Sequence, residues 1–249
     1  MKNVLLVLFV ALVSSLFILS NSAMASSGKY LKMLDSGDVK TRIQAAKMVA
    51  RDKAFDAAIL QKIESKLRAG YNKRANDRYH NDEMAYYCKT LSATGDMKYK
   101  KLLEEVASGT SNRNLKRHAG NSLKLLADNA ELKQIKSAKG DWDSSLSDSE
   151  NKQMAMLRSD QFRLKRTAAK ELYRNPGANV KVFDEVANQL LAGTKEMSRD
   201  RDYVDTMAWL CKALGNSGQA KYKETLLKAK AQTSNAKLKK YADQALRML

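Results

Sequence analysis

From Cys88 to Leu126 the chain reads CKTLSATGDMKYKKLLEEVASGTSNRNLKRHAGNSLKLL, and from Cys211 to Leu249 it reads CKALGNSGQAKYKETLLKAKAQTSNAKLKKYADQALRML. The second stretch restates the first 123 positions later, cysteine on cysteine, KYK (Lys98–Lys100) on KYK (Lys221–Lys223), and Thr110-Ser111-Asn112 on Thr233-Ser234-Asn235. The offset continues upstream without a gap. It pairs Met33-Leu34 with Met156-Leu157, Ala45-Ala46-Lys47 with Ala168-Ala169-Lys170, Ala69-Gly70 with Ala192-Gly193, and Asp77-Arg78 with Asp200-Arg201. Roughly a third of the paired positions are identical, the self-similarity expected of a duplicated architecture. The division expected is a first half over 26–126, a linker or short helix with a loop over 127–153, and a second half over 154–249. Ser147 with Glu150 three residues on reads as a capping box opening the second half.

Within each half the apolar spacing is helical. Val39, Ile43, Ala46 and Ala50 form one stripe, and Ile59, Ile63 and Leu67 the next. Met84, Tyr87, Cys88 and Leu91 follow, then Tyr99, Leu102, Leu103 and Val106, then Leu115, Ala119, Leu123 and Leu126. Each fits the i, i+3, i+4, i+7 pattern of a helix with one buried face. No comparable run alternates with period two, and the single proline, Pro176, lies in the loop RNPGAN. Glycines 70, 95, 109, 193 and 218 read as helix stops. Helices of about 12–15 residues do not hold themselves in water and must stack. The expected fold is all-α, a solenoid of two duplicated halves.

DVKTRIQAAKMV (Asp38–Val49) resembles the D-x-x-x-R-x-x-A-A opening of a HEAT-like repeat. MAWLCKALGNSGQAKYKETL (Met207–Leu226), with LKKYADQAL (Leu238–Leu246), is similar to the A-x-A-L-G-x-x-G…L and A-x-x-A-L signatures of bacterial HEAT-like modules. Lys165 and Arg166 stand around the counterpart of Arg42, and Gln161 stands where the first half has Asp38. The resemblance implies antiparallel helix pairs in a superhelix with a concave binding surface, and it implies no reaction.

The opening segment, 1–25, carries a cationic start (Lys2), an apolar run from Val4 to Leu19 and an Ala23-Met24-Ala25 junction. That is the plan of a secretory signal cleaved before Ser26, and the run is short for a span of about 20 residues. A periplasmic or secreted protein without stable membrane insertion is therefore expected. The charge is +18, or +17 without Lys2. Such a charge points first to nucleic acid, but export disfavours it and turns attention to acidic proteins and anionic envelope surfaces.

The basic residues recur with the duplication. Lys98 and Lys100 match Lys221 and Lys223, and Lys116 and Arg117 match Lys239 and Lys240, beside the Leu115 and Leu238 stripes rather than on them. These eight are the candidate partner-binding residues, two basic ridges for an acidic protein partner, with attachment to an anionic envelope component as the alternative. A solvated helix face accounts for the same charges.

No catalytic residue, metal ligand or cofactor is expected. His80 and His118 are replaced by Tyr203 and Tyr241 in the other half, and no H-E-x-x-H, C-x-x-C, G-x-S-x-G or phosphate-loop pattern occurs. Asp200, Asp202 and Asp205 could offer oxygen ligands to Ca²⁺. The stronger expectation is that Asp82 and Asp205 cap helices beginning at Glu83 and Thr206, with Arg78 and Arg201 paired to nearby acids. Tyr71, Tyr79, Tyr86 and Tyr87, with Trp209 for Tyr86, read as packing before stacking platforms. Cys88 and Cys211, each on an apolar stripe, are expected as free buried thiols.

Overall fold

The structure, a computed structural model, describes residues 27–73, 76–194 and 200–249. The signal segment expected at 1–25 lies outside the described residues. Those described are all-helical, without a strand. A helix over 27–34 (α1) precedes α2 Val39–Asp52, α3 Ala57–Gly70, α4 Arg78–Ala93, α5 Lys100–Gly109 and α6 Arg113–Ser137. Then come α7 Asp148–Arg158, α8 Phe162–Arg174, α9 Val180–Thr194, α10 Arg201–Asn216, α11 Lys223–Gln232 and α12 Ala236–Leu246. Single 3₁₀ turns at Met97–Tyr99 and Ala220–Tyr222 lead into α5 and α11. The starts of α2 to α6 and of α8 to α12 are each 123 residues apart.

The described residues form two compact units, divided between Ala130 and Glu131. In the first, α4 packs on α2 and α3, around a core that includes Ile59, Ile63, Tyr87, Cys88, Leu102 and Leu115. In the second, α10 packs on α8, α9 and α12, around Leu172, Phe183, Leu190, Leu210, Cys211 and Leu238. Capping sets the helix starts. Asp38 accepts from the Lys40 and Thr41 amides, Asn235 accepts from Lys237 and Leu238, and Asn112 accepts from Leu115. The Ser147–Glu150 capping box is formed.

Polar ties lock α2 to α4 and α8 to α10. The Arg42 guanidinium of α2 grips Glu83 of α4 through two nitrogens, at 2.5 and 2.8 Å. In the second unit Arg166 of α8 reaches Asp202 of α10 at 3.0 Å. The Thr206 hydroxyl and the Asn216 amide of α10 donate to the carbonyls of Phe162 and Tyr173 at 2.8 and 2.7 Å. These donors occupy α8 carbonyl oxygens that the close approach of two helices would otherwise shield from water.

Two expectations are corrected. The helices expected from Glu83 and Thr206 begin five residues earlier, at Arg78 and Arg201, with Asp77 and Asp200 as their N-caps. Asp82 and Asp205 lie in the second turns and instead face Arg78 and Arg201 one turn back, at 4.0 and 3.7 Å. A cap must precede the helix to reach its unpaired N–H groups. In α2 the buried residues are Ile43, Ala45, Ala46 and Val49, with Val39 and Ala50 at the rim, because the face of α2 turned to the core is rotated from the expected stripe. The segment 127–153 is helical at both ends, and its Ile135 and Leu146 are buried in the core of the second unit.

Candidate functional site

The eight basic residues divide by what they touch. Lys98 lies 3.1 Å from Asp96 and over the Tyr99 ring, and Asp96 followed by Tyr99 holds its ammonium above the ordinary lysine range. Lys100 reaches Glu104 at 3.8 Å, and Lys221 reaches Asp184 at 2.6 Å while covering the Tyr222 ring. Those three are tied within the chain. Lys116, Arg117, Lys223, Lys239 and Lys240 are exposed and form no ion pair among the described residues. On α6 and α12 the reason is rotational. Leu115, Ala119, Leu238 and Ala242 are fully buried, so the residues immediately after Leu115 and Leu238 turn to the other side.

The histidine replaced by tyrosine has a common task in both units. His80 Nε2 lies 2.8 Å from the Gly70 carbonyl oxygen, and the Tyr203 hydroxyl donates to the Gly193 carbonyl at 2.8 Å. Each satisfies a carbonyl near the C-terminus of the preceding helix, which has no partner within its own helix. Gly70 and Gly193 also give room to the sulfurs of Met84 and Met207, which a Cβ would meet closely. Both lie within their helices without left-handed backbone, so they serve close packing rather than act as the helix stops expected.

The carboxylates of the second unit's SRDRDYVD stretch are engaged too. Asp200 caps α10, Asp202 meets Arg163 and Arg166, and Asp205 meets Lys237 at 2.7 Å. Lys237 is the largest influence holding Asp205 below the usual carboxylate range. The two cysteines are free and buried. Burial pushes each thiol up to about 12, so the thiolate needed for nucleophilic attack is scarce at neutral pH.

The aromatics split between packing and surface. Tyr87 is fully buried, its hydroxyl on Glu83, and Tyr71 lies against Gly109. Tyr79, Tyr86 and Trp209 instead carry lysines: Lys40 over Tyr79 at 5.5 Å, Lys47 over Tyr86 at 4.5 Å, and Lys170 and Lys212 over Trp209 at 5.1 and 4.4 Å. Beside Tyr86 the first unit has a groove of about 290 Å³ floored by Ala46, Ala50, Ala93 and Leu125. Lys47, Arg51 and Lys89 stand along it. Sequence reasoning missed this groove. The signal for it was the exchange of Ala50 for Tyr173 across otherwise matching stretches.

A second concavity, of about 420 Å³, lies in the second unit between Trp142, Met154 and Arg158. Two of its charged groups, Asp143 and Arg158, have partners within the chain. Asp143 is held well below the carboxylate range by Ser145 and then Lys181, and Arg158 pairs with Glu185.

No family model matches the chain, and no curated protein matches it. Among solved structures it is similar to human deoxyhypusine hydroxylase in complex with glycerol, at 12% identity over 86% of this chain and 81% of that one, with a TM-score of 0.34. An engineered protein is similar at 19% identity over 88% of this chain and 96% of its own, with a TM-score of 0.32. Another is similar at 15% identity over 88% and 94%, with a TM-score of 0.31. Likeness at this level carries no argument about what this chain binds.

Proposed function

We propose that this protein is an exported, non-enzymatic scaffold of HEAT-like helix pairs, made by tandem duplication, that holds an acidic protein partner through basic helix faces. One observation carries the reading. Lys116 and Arg117 on α6, and Lys239 and Lys240 on α12, are exposed, lack an ion pair among the described residues, and recur at matching positions. An ion-paired lysine is already neutralised by its own chain. These four offer charge to something else, where complementarity chiefly speeds encounter. The matching starts of five successive helices support duplication, and the Ala23-Met24-Ala25 junction supports export. N-terminal sequencing of the native protein should begin at Ser26, and an intact Met1 in a membrane pellet would remove export from the reading.

The test of binding is charge reversal. Lys239→Glu with Lys240→Glu should change stability by no more than about 0.5 kcal/mol, as for other surface substitutions. It should slow association with an acidic envelope protein on the order of tenfold at low salt, and less at high salt. Adding Lys116→Glu and Arg117→Glu should lose more than either pair alone if both units engage one partner, since linked sites bind by avidity. Undiminished capture by the four-site variant, with unchanged circular dichroism, would leave the ridges as solvated faces. Attachment to an anionic envelope surface is the second reading, favoured by the charge of +18. It predicts equal loss from anionic vesicles or polymer and complete release by moderate salt.

A further inference from the structure

The 123-residue offset sets the lining of the first unit's groove against a matching series in the second: Lys47 with Lys170, Ala50 with Tyr173, Tyr86 with Trp209, Lys89 with Lys212, Ala93 with Asn216. In the second unit an aromatic ring belongs to this arrangement. Tyr173 meets Trp209 edge to face, with centroids 5.7 Å apart and planes at 77°. The Asn216 amide holds the Tyr173 carbonyl at 2.7 Å, and Lys170 and Lys212 flank the indole. In the first unit the wall and its lysine remain, Lys47 over Tyr86 at 4.5 Å. The positions of Tyr173 and Asn216 fall to Ala50 and Ala93, and these small residues floor the groove.

We propose that the groove of the first unit seats one aromatic side chain from an acidic segment of a partner protein, in the arrangement that the second unit completes with its own Tyr173. Three observations select this occupant. The volume, about 290 Å³, is at the foot of the roughly 300–1,000 Å³ range of small-molecule pockets and suits a side chain better than a whole ligand. The floor is alanine and leucine beside a tyrosine face, and an aromatic ring meets such a face in edge-to-face or offset geometry. The rim is basic: Lys47 and Lys89 stand along it, beside Arg51, which Asp52 pairs at 2.6 Å. Carboxylates flanking the seated ring would meet the lysines, whose ammonium groups also favour aromatic faces. The proposal rests on the reading that the chain binds a protein, but not on the ridges, which use other residues.

The probe is the peptide acetyl-Glu-Phe-Glu-amide, titrated into the ¹⁵N-labelled protein at low salt and followed by amide chemical shifts. Saturable shifts should gather on Lys47, Ala50, Thr90 and Ala93, and the Glu-Ala-Glu peptide should bind at least fivefold more weakly. Ala50→Tyr should weaken peptide binding tenfold or more while leaving ridge-dependent capture unchanged, and Tyr173→Ala should add a second site. Should Ala50→Tyr not fold by circular dichroism, exposed Lys89→Glu should still weaken the peptide severalfold. Shifts that do not saturate, that scatter over the ridges, or that persist unchanged in folded Ala50→Tyr or in Lys89→Glu would overturn the proposal. Failure of the ridges reads separately, as peptide binding retained while the four-site charge reversal leaves capture untouched.

Discussion

Replacing Glu83 by alanine is expected to destabilise the protein by about 3–5 kcal/mol, the cost of removing one partner from a buried ion pair. Glu83 is 3% exposed. It accepts from Arg42 Nε and Nη2, and from the Tyr87 hydroxyl at 2.7 Å. Without it the guanidinium, whose side chain is 19% exposed, keeps only the carbonyls of Ser36 and Gly37. The fully buried Tyr87 hydroxyl loses its acceptor as well. The pH dependence has a definite sign. Burial raises the Glu83 pKa, but the hydrogen bonds from Arg42 and Tyr87 outweigh it and leave the carboxyl below its ordinary value. Its contribution is therefore full above the unfolded value of about 4.3 and is lost as pH falls through the lower folded value. Urea unfolding should show a large wild-type advantage at pH 7 that narrows below pH 4. Replacing both partners, Arg42→Met with Glu83→Leu, should recover most of the loss. An unchanged urea midpoint for Glu83→Ala at pH 7 would show that the pair contributes nothing net.

Gly95→Ala should cost about 2–5 kcal/mol, against about 1–2 kcal/mol for Gly218→Ala at the matching position of the second unit. Both glycines adopt left-handed backbone, at φ +63° and +64°, where a Cβ costs about 1–2 kcal/mol. Only Gly95 is also crowded. A Cβ there would lie 2.8 Å from the carbonyl carbon and oxygen of Asn129 and 2.9 Å from the nitrogen of Ala130, while Gly218 has nothing within 4 Å. Backbone cannot rotate aside as a side chain can, so α6 must yield, and overpacking of this kind adds about 1–3 kcal/mol. Thermal unfolding of the two variants side by side measures the difference. Equal losses would mean that backbone conformation alone accounts for both.

The helical class and the buried stripes of α3, α4 and α5 were legible, as was that of α6 except for Leu123 at its rim, because each stripe is a local pattern repeated at the 3.6-residue period. The Ser147–Glu150 box was legible for a related reason, since both partners lie within one turn. Helix starts were less so. Asp77 and Asp82 are chemically alike, and which of them caps α4 depends on where Arg78 joins the helix. The basic ridges were half legible. Periodicity placed Lys116 and Lys239 off the buried stripe, but it could not show that Lys98 and Lys221 are spent on Asp96 and on Asp184.

By itself, then, the sequence determined the all-α class, the internal offset that aligns five helix starts, and the faces on which Cys88 and Cys211 are buried. Tertiary structure decided the pairing of Arg42 with Glu83, the shared task of His80 and Tyr203, and the groove beside Tyr86. The division has a physical cause. Helical periodicity and capping are short-range and are written within a few residues. Whether Lys221 is neutralised, the Gly70 carbonyl is met or Ala50 leaves a groove depends on residues ten or more positions away, which only packing brings into reach.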